Sequence, residues 1–172
     1  MPGRLRQHWK NYTGSSRMAV AGCVILGVWI LFAVAVPLFG PWSYSAQDAE
    51  IRNQGASLAH WFGTDRFGRD LFARVWYGAG TSLIVGTAST LVNGGIGILY
   101  GAAAGYAGKR TDMILMRIAD IISAIPSMLH VILITLVMGA GIGSIIVGLC
   151  IAGWISMARI VRGEIIRLKE AD

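Results

Sequence analysis

Three uncharged blocks constrain this chain more than anything else in it. Met18–Phe39, Val75–Gly108 and Ile121–Ala158 contain no Asp, Glu, Lys or Arg over 22, 34 and 38 residues. A helix that crosses a bilayer needs about 20 largely apolar residues, because hydrocarbon offers no partner for backbone N–H and C=O groups. The first block is one span long. As straight helix the other two would run about 51 and 57 Å, against a hydrocarbon core of about 30 Å. Each must therefore contain a turn or an interfacial stretch. Charged residues make up 14% of the 172 positions, where a soluble domain carries about 25%. The expected fold class is all-α: a polytopic membrane protein with about four transmembrane helices.

Residues 1–17 read as a basic cytoplasmic arm carrying Arg4, Arg6, Lys10 and Arg17. Residues 18–39 read as transmembrane helix 1, closed by Pro37 and Pro41, with Trp42 and Tyr44 as interfacial anchors. A cleaved leader is the competing interpretation, since Ala33-Val34-Ala35 mimics a cleavage site. The apolar run is longer than the 7–15 residues of a leader core and contains that triplet, so an uncleaved helix is expected. Asn11-Tyr12-Thr13 matches a glycosylation acceptor by chance on the cytoplasmic side. Residues 40–81 form an extracytoplasmic loop, with Tyr77-Gly78-Ala79-Gly80 as an interfacial turn or short helix.

Residues 82–172 begin a transmembrane domain, with helices at about 82–106, 112–138 and 144–162. Asp112 is the expected N-cap of the second of these. Arg117 and Asp120, three apart, are expected to pair at its cytoplasmic end, and Pro126 to kink it. Gly139–Ser144 supplies the turn that folds the third block back, and residues 163–172 begin a cytoplasmic region as an amphipathic continuation.

The net charge of +6 would suit nucleic acid on a soluble protein, but here the charges flank apolar blocks. They report topology instead. With four spans and the N-terminus inside, the inner segments hold eleven basic residues and the outer loop holds four, Arg52, Arg66, Arg69 and Arg74. This positive-inside bias places both termini in the cytoplasm, and the expected partners are the lipid bilayer and other proteins rather than nucleic acid.

The outer loop centres on Trp61–Asp70, where Asp65, Arg66, Arg69 and Asp70 put four cancelling charges within six residues. Such a segment cannot lie in hydrocarbon. With Gly63 and Gly68 as hinges, it is expected to fold on itself by Asp–Arg pairing. His60 beside it is expected at the surface. Within the third block, His130 is either a functional group or a hydrogen-bonding residue between helices. Gly97, Gly101 and Gly105, spaced four apart, present a small-residue face that another helix backbone can approach closely. Cys23 and Cys150 form no CxxC or metal spacing and read as small apolar residues. Gly108-Lys109-Arg110 lacks the upstream glycine and the Ser or Thr of a P-loop, so no ATP site is expected. No catalytic, metal or cofactor constellation is visible, and the residues by themselves point to a transporter or channel subunit.

One family shares these motifs. Phe62-Gly63-Thr64-Asp65-Arg66-Phe67-Gly68-Arg69-Asp70-Leu71-Phe72-Ala73-Arg74, followed by Tyr77-Gly78-Ala79 and Ser82-Leu83, resembles the loop of inner-membrane permease subunits of bacterial ABC importers for dipeptides, oligopeptides and nickel. It is most similar to the second of the two permeases in those systems. The resemblance extends to Gly105-Tyr106-Ala107-Gly108, to Met116–Asp120 leading to Ile125-Pro126, and to Trp154–Glu164. It implies a homologous second permease, two cytoplasmic ABC ATPase subunits and an extracytoplasmic substrate-binding protein as partners. It also implies that Arg159, Arg162, Gly163 and Glu164 approach the region that couples to the ATPase. The family's coupling loop, with its Glu-Ala-Ala pattern, and two further helices are expected beyond Asp172, so an incomplete or truncated sequence is the simplest explanation. Peptide is the expected cargo, since no Met-rich or His-rich path suggests nickel. A stand-alone structural or channel-like membrane protein and a membrane enzyme are the competing classes.

Overall fold

The computed structural model describes residues 2–171, with side chains over 17–170. The side chains of Arg4, Arg6, Lys10 and the Asn11-Tyr12-Thr13 triplet lie outside the described residues. Six helices make up the regular structure among those residues: α1 Pro2–Phe39, α2 Leu71–Tyr106, α3 Lys109–Ser123, α4 Ser127–Met138, α5 Ile142–Cys150 and α6 Trp154–Ala171. The only β feature there is one isolated bridge between Thr64 and Asp70. The protein is all-α. Arg17–Phe39, Leu71–Tyr106 and Ile142–Glu170 are each long and apolar enough to cross a membrane. The α3–α4 pair is a fourth candidate, bent by 73°.

Four element boundaries differ from those read in the sequence. The second long helix starts at Leu71, not near Ser82. Asp70 precedes it, and its Oδ1 accepts the Ala73 amide at 2.7 Å, an N-cap bond. Gly78 and Gly80, which suggested a turn, lie inside the helix. A Cβ on Gly80 would sit 3.1 Å from the Ala33 carbonyl oxygen, so that glycine serves close packing. The N-cap of α3 is Gly108 rather than Asp112. Asp112 lies in the first turn, where its charge suits the helix dipole. The kink expected at Pro126 is a full break between Ser123 and Ser127. Proline donates no amide hydrogen and disfavours helical geometry at Ile125 before it. The last helix divides at residues 151–153, where Gly153 lies so close to Asn93 that a Cβ would approach the Asn93 amide carbon to 2.8 Å.

The chain forms two compact units, Met1–Thr81 and Ser82–Asp172. In the first, small residues at Ala33, Ala73 and Ala79 are buried. Aromatic pairs fasten it: Phe32 on Trp76 at 5.0 Å and Tyr44 stacked on Tyr77 at 3.6 Å. In the second, Ala119, Trp154, Ile155 and Ala158 form the core, with Tyr100, Ile122 and Ala152 against them. Large apolar side chains face outward throughout, among them Leu99, Leu136 and Val137. Exposure on this scale is unusual for a protein in water and suits one covered by lipid or by partner helices.

Candidate functional site

The first cluster of interest is the loop before α2. Asp65 organises it from within. Its Oδ1 accepts the amides of Phe67 at 2.7 Å and Arg69 at 3.0 Å, and its Oδ2 accepts Arg74 Nη1 at 3.2 Å. The turn closes with the Gly68 amide on the Asp65 carbonyl at 2.9 Å. Gly68 has φ +72 and its would-be Cβ faces the Asp48 backbone; only glycine meets both demands without strain. Thr64 ties the loop across to residues 51–54: its hydroxyl donates to the Ile51 carbonyl and accepts the Gln54 amide, and its own amide bonds the Gln54 carbonyl at 3.0 Å. Gly63, at φ +73, donates its amide to the His60 carbonyl.

Two expectations about this loop are corrected. Within this loop, Asp–Arg pairing among the described residues is realised only between Asp65 and Arg74. Asp70 instead accepts His60 Nδ1 at 2.9 Å through Oδ2, while its Oδ1 caps α2. His60 is buried rather than at the surface, at 4% exposure. It lies 4.5 Å from the Trp42 ring, and the Trp42 indole donates to the neighbouring Ala59 carbonyl. Burial made a hydrogen-bond partner necessary, and Asp70 supplies it.

The Asp65 carboxyl is subject to desolvation, which opposes its charge. The Arg69 and Phe67 amides and the charges of Arg74 and Arg69 outweigh that and hold it below its ordinary value of 3.8. Its contribution to loop stability is therefore complete above pH 3.8 and is lost as pH falls through the lower folded-state value. We expect resistance of the loop to proteolysis to persist from neutral pH to about pH 4 and to decline below that. Asp65→Asn should remove this acid step and weaken resistance at neutral pH; an unchanged pH profile in that variant would contradict the assignment.

The second cluster joins α6 to α2 and α3. A Cβ on Gly97 would lie 2.7 Å from the Trp154 carbonyl oxygen, one on Gly101 3.0 Å from Ala158 Cα, and one on Gly105 2.9 Å from Ile165 Cβ. The helix set against this face is thus α6. Three cations of α6 then fix its course. Arg162 makes a two-pronged ion pair with Asp112 through Nε and Nη2. Arg159 Nη2 reaches Asp120 at 2.8 Å and Ser123 at 3.3 Å. Lys169 Nζ donates to the carbonyls of Gly105 and Tyr106, at 3.0 and 3.1 Å, at the C-terminus of α2, where a cation complements unpaired carbonyls and the helix dipole.

The expected Arg117–Asp120 pair is absent. Arg117 is exposed and forms no ion pair among the described residues, because Asp120 is taken by Arg159 from another helix. Glu164 pairs with exposed Arg167 on its own helix, and Gly163 faces open space. Sequence reasoning missed Lys169, His60 and Arg74, whose partners are 64, 10 and 9 positions away. His130 is buried and its Nδ1 has no hydrogen-bond partner among the described residues. No group of three His, Cys, Asp or Glu there could hold a metal.

Comparison with known proteins agrees with this architecture. Residues 97–172 match the family described as "Binding-protein-dependent transport system inner membrane component". Residues 5–56 match the "N-terminal TM domain of oligopeptide transport permease C". Along most of its length the chain is similar to binding-protein-dependent transport permeases. It is 43% identical over 158 residues to the oligopeptide transport system permease protein OppC of Bacillus subtilis, covering 92% of this chain and 52% of that protein. It is 46% identical over 157 residues to the dipeptide transport system permease protein DppC of the same organism, covering 91% and 49%. The glutathione transport system permease protein GsiD of Pectobacterium atrosepticum is 35% identical over 170 residues, covering 96% and 55%. The chain spans about half the length of the curated relatives it matches. The family matches and the apolar helices support a multi-pass inner membrane protein.

Proposed function

We propose that this permease forms part of the membrane path of a peptide importer, with a homologous permease beside it, two cytoplasmic ATPases driving it and an extracytoplasmic binding protein delivering cargo. The observation that carries this is identity of 43% and 46% to an oligopeptide and a dipeptide permease over more than nine-tenths of the chain. The charge distribution supports an orientation with both termini in the cytoplasm and the Gly63–Asp70 loop outside. In that orientation Arg159, Arg162, Gly163 and Glu164 lie on the inner approach to the ATPases. The Arg162–Asp112 and Lys169 contacts hold that approach against α3 and α2.

The reading is tested by uptake. Cells lacking their own peptide importers, and expressing this permease with its partner subunits, are expected to accumulate radiolabelled di- and tripeptides in an ATP-dependent manner. Accumulation of nickel ions without peptides would replace the cargo, and no ATP-dependent uptake of either would overturn the reading. Cysteine labelling at the loop and near residue 169 checks the orientation independently.

A further inference from the structure

The first compact unit holds a cavity of about 570 Å³. That is the size of a site for a small molecule. The last turns of α1 line it from Leu31 to Phe39, the loop contributes Trp42 and Trp61, and the start of α2 contributes Phe72 and Ala73.

Its polar groups are already engaged. Asp70 is the one charged residue among the described residues that line it. Its Oδ2 accepts His60 at 2.9 Å and its Oδ1 accepts the Ala73 amide at 2.7 Å. The Trp42 indole donates to the Ala59 carbonyl at 2.9 Å, and the Gly40 amide to the Val36 carbonyl at 2.9 Å. A polar ligand would give up its water and find these groups bonded elsewhere, which costs free energy. A peptide, charged at both ends, is excluded by the same cost. Water fits poorly too, since a buried water needs about two to four polar neighbours.

The cavity is continuous with the flank of α1 that lipid covers. Leu31 and Phe39 are 63% and 84% exposed and belong to the apolar span Arg17–Phe39. The stretch from Leu31 to Phe39 rises about 12 Å, close to the roughly 15 Å of hydrocarbon in one leaflet. Trp42 follows just past the end of the span, at the headgroup level that indoles favour. We propose that this cavity takes one acyl chain of a phospholipid from the leaflet on the loop's side. No hydrophobic force draws that chain in, because the bilayer is as apolar as the cavity. What is gained is dispersion contact with a wall that would otherwise face a void. The inference needs only that the protein sits in a membrane, and it is independent of what the protein carries.

Photolabelling tests it. The protein, purified with whatever subunits accompany it, is placed in vesicles of phosphatidylethanolamine and phosphatidylglycerol. These are doped with a phosphatidylcholine carrying a diazirine midway along one acyl chain, and labelled peptides are identified by mass spectrometry. Lipid around the spans marks residues such as Leu26, which is 58% exposed, whereas a chain inside the cavity is needed to reach Ala73, which is 5% exposed. Label at Leu26, Phe72 and Ala73 is expected. Ala35 lines the cavity, so A35W should fill it with an indole and abolish the label at Phe72 and Ala73 while sparing Leu26. V24W, on the same helix but outside the cavity, should spare all three. If A35W does not assemble, A35M serves, and a partial fall at Ala73 is expected. Label at Leu26 with none at Phe72 or Ala73 overturns the proposal, as does equal label at Ala73 with and without the Ala35 substitution. Label that reaches Ala73 only after an accompanying subunit is stripped away overturns it in favour of an apolar side chain of that subunit.

Discussion

Gly101→Leu is expected to deprive the permease of most of its folded yield. The face formed by Gly97, Gly101 and Gly105 packs on α6, and at its centre a Cβ would lie 3.0 Å from the Cα of Ala158 and closer still to its carbonyl oxygen. Ala158 is fully buried. The obstacle is backbone, so no rotamer change relieves it, and α6 must move away. In a bilayer no hydrophobic force pulls the helices back together, because lipid tails are as apolar as the side chains. Close approach and dispersion hold the pair, and both are lost with distance. Overpacking typically costs about 1–3 kcal/mol, and a branched side chain against backbone belongs at the upper end. Gly101→Ala should be intermediate. Gly163→Leu is the control, since nothing lies within 4 Å of its would-be Cβ. Fluorescence-detected size-exclusion yield and thermal stability in detergent measure the series. Equal yields for the Gly101 and Gly163 variants would show that the α2–α6 approach contributes nothing.

What the residues disclose in advance follows from the range of the interaction involved. Absence of charge over 22, 34 and 38 residues is a local property, and the helical, multi-span architecture was legible from it. Pro126 was legible as a disturbance for the same reason, although the 73° bend it produces depends on what surrounds it. The start of α2 was hidden because Gly78 and Gly80 carry a turn signal, although the helix runs through both and Gly80 packs against Ala33. Pair choice was hidden more deeply. Arg117 and Asp120 satisfy the spacing for a helical pair, yet Asp120 turns to Arg159, 39 positions away, once α6 is beside it. Asp70 likewise takes His60 rather than an adjacent arginine, because the chain between them brings a buried imidazole to its oxygen. Spacing rules register only partners on the same helix or turn. The contacts that matter here are made by elements that meet after folding, so the residue types were visible and their partners were not.

The other large effect should appear where α6 meets α3. Asp112→Asn and Arg162→Gln are each expected to destabilise the protein by about 1–3 kcal/mol. The pair is two-pronged, with Nη2 to Oδ2 at 2.5 Å, and the side chains are only 32% and 15% exposed for Arg162 and Asp112. A fork of this kind is stronger than a single charged bond. Removing one partner leaves the other partly desolvated without compensation, which costs more than removing both. The double variant should therefore be less damaged than the sum of the singles, with a coupling of about 1–2 kcal/mol, and the reversed pair D112R/R162D should regain part of the loss. Glu164 and Arg167 form the matched control. They pair on one helix at 55% and 75% exposure, and their removal should change stability by less than about 0.5 kcal/mol. Denaturation in detergent measures all five variants. Strict additivity at positions 112 and 162 would mean that the ion pair does not hold α6. A measured coupling would mean that α6, reached only 50 residues later in the chain, is fixed to the first turn of α3 by a contact that survives competition from water. Lys169 would then act as a second fixed point, because its amine bonds the carbonyls that end α2. Two such points, seven residues or about 10 Å apart along α6, leave that helix little freedom to pivot without carrying α2 and α3 with it.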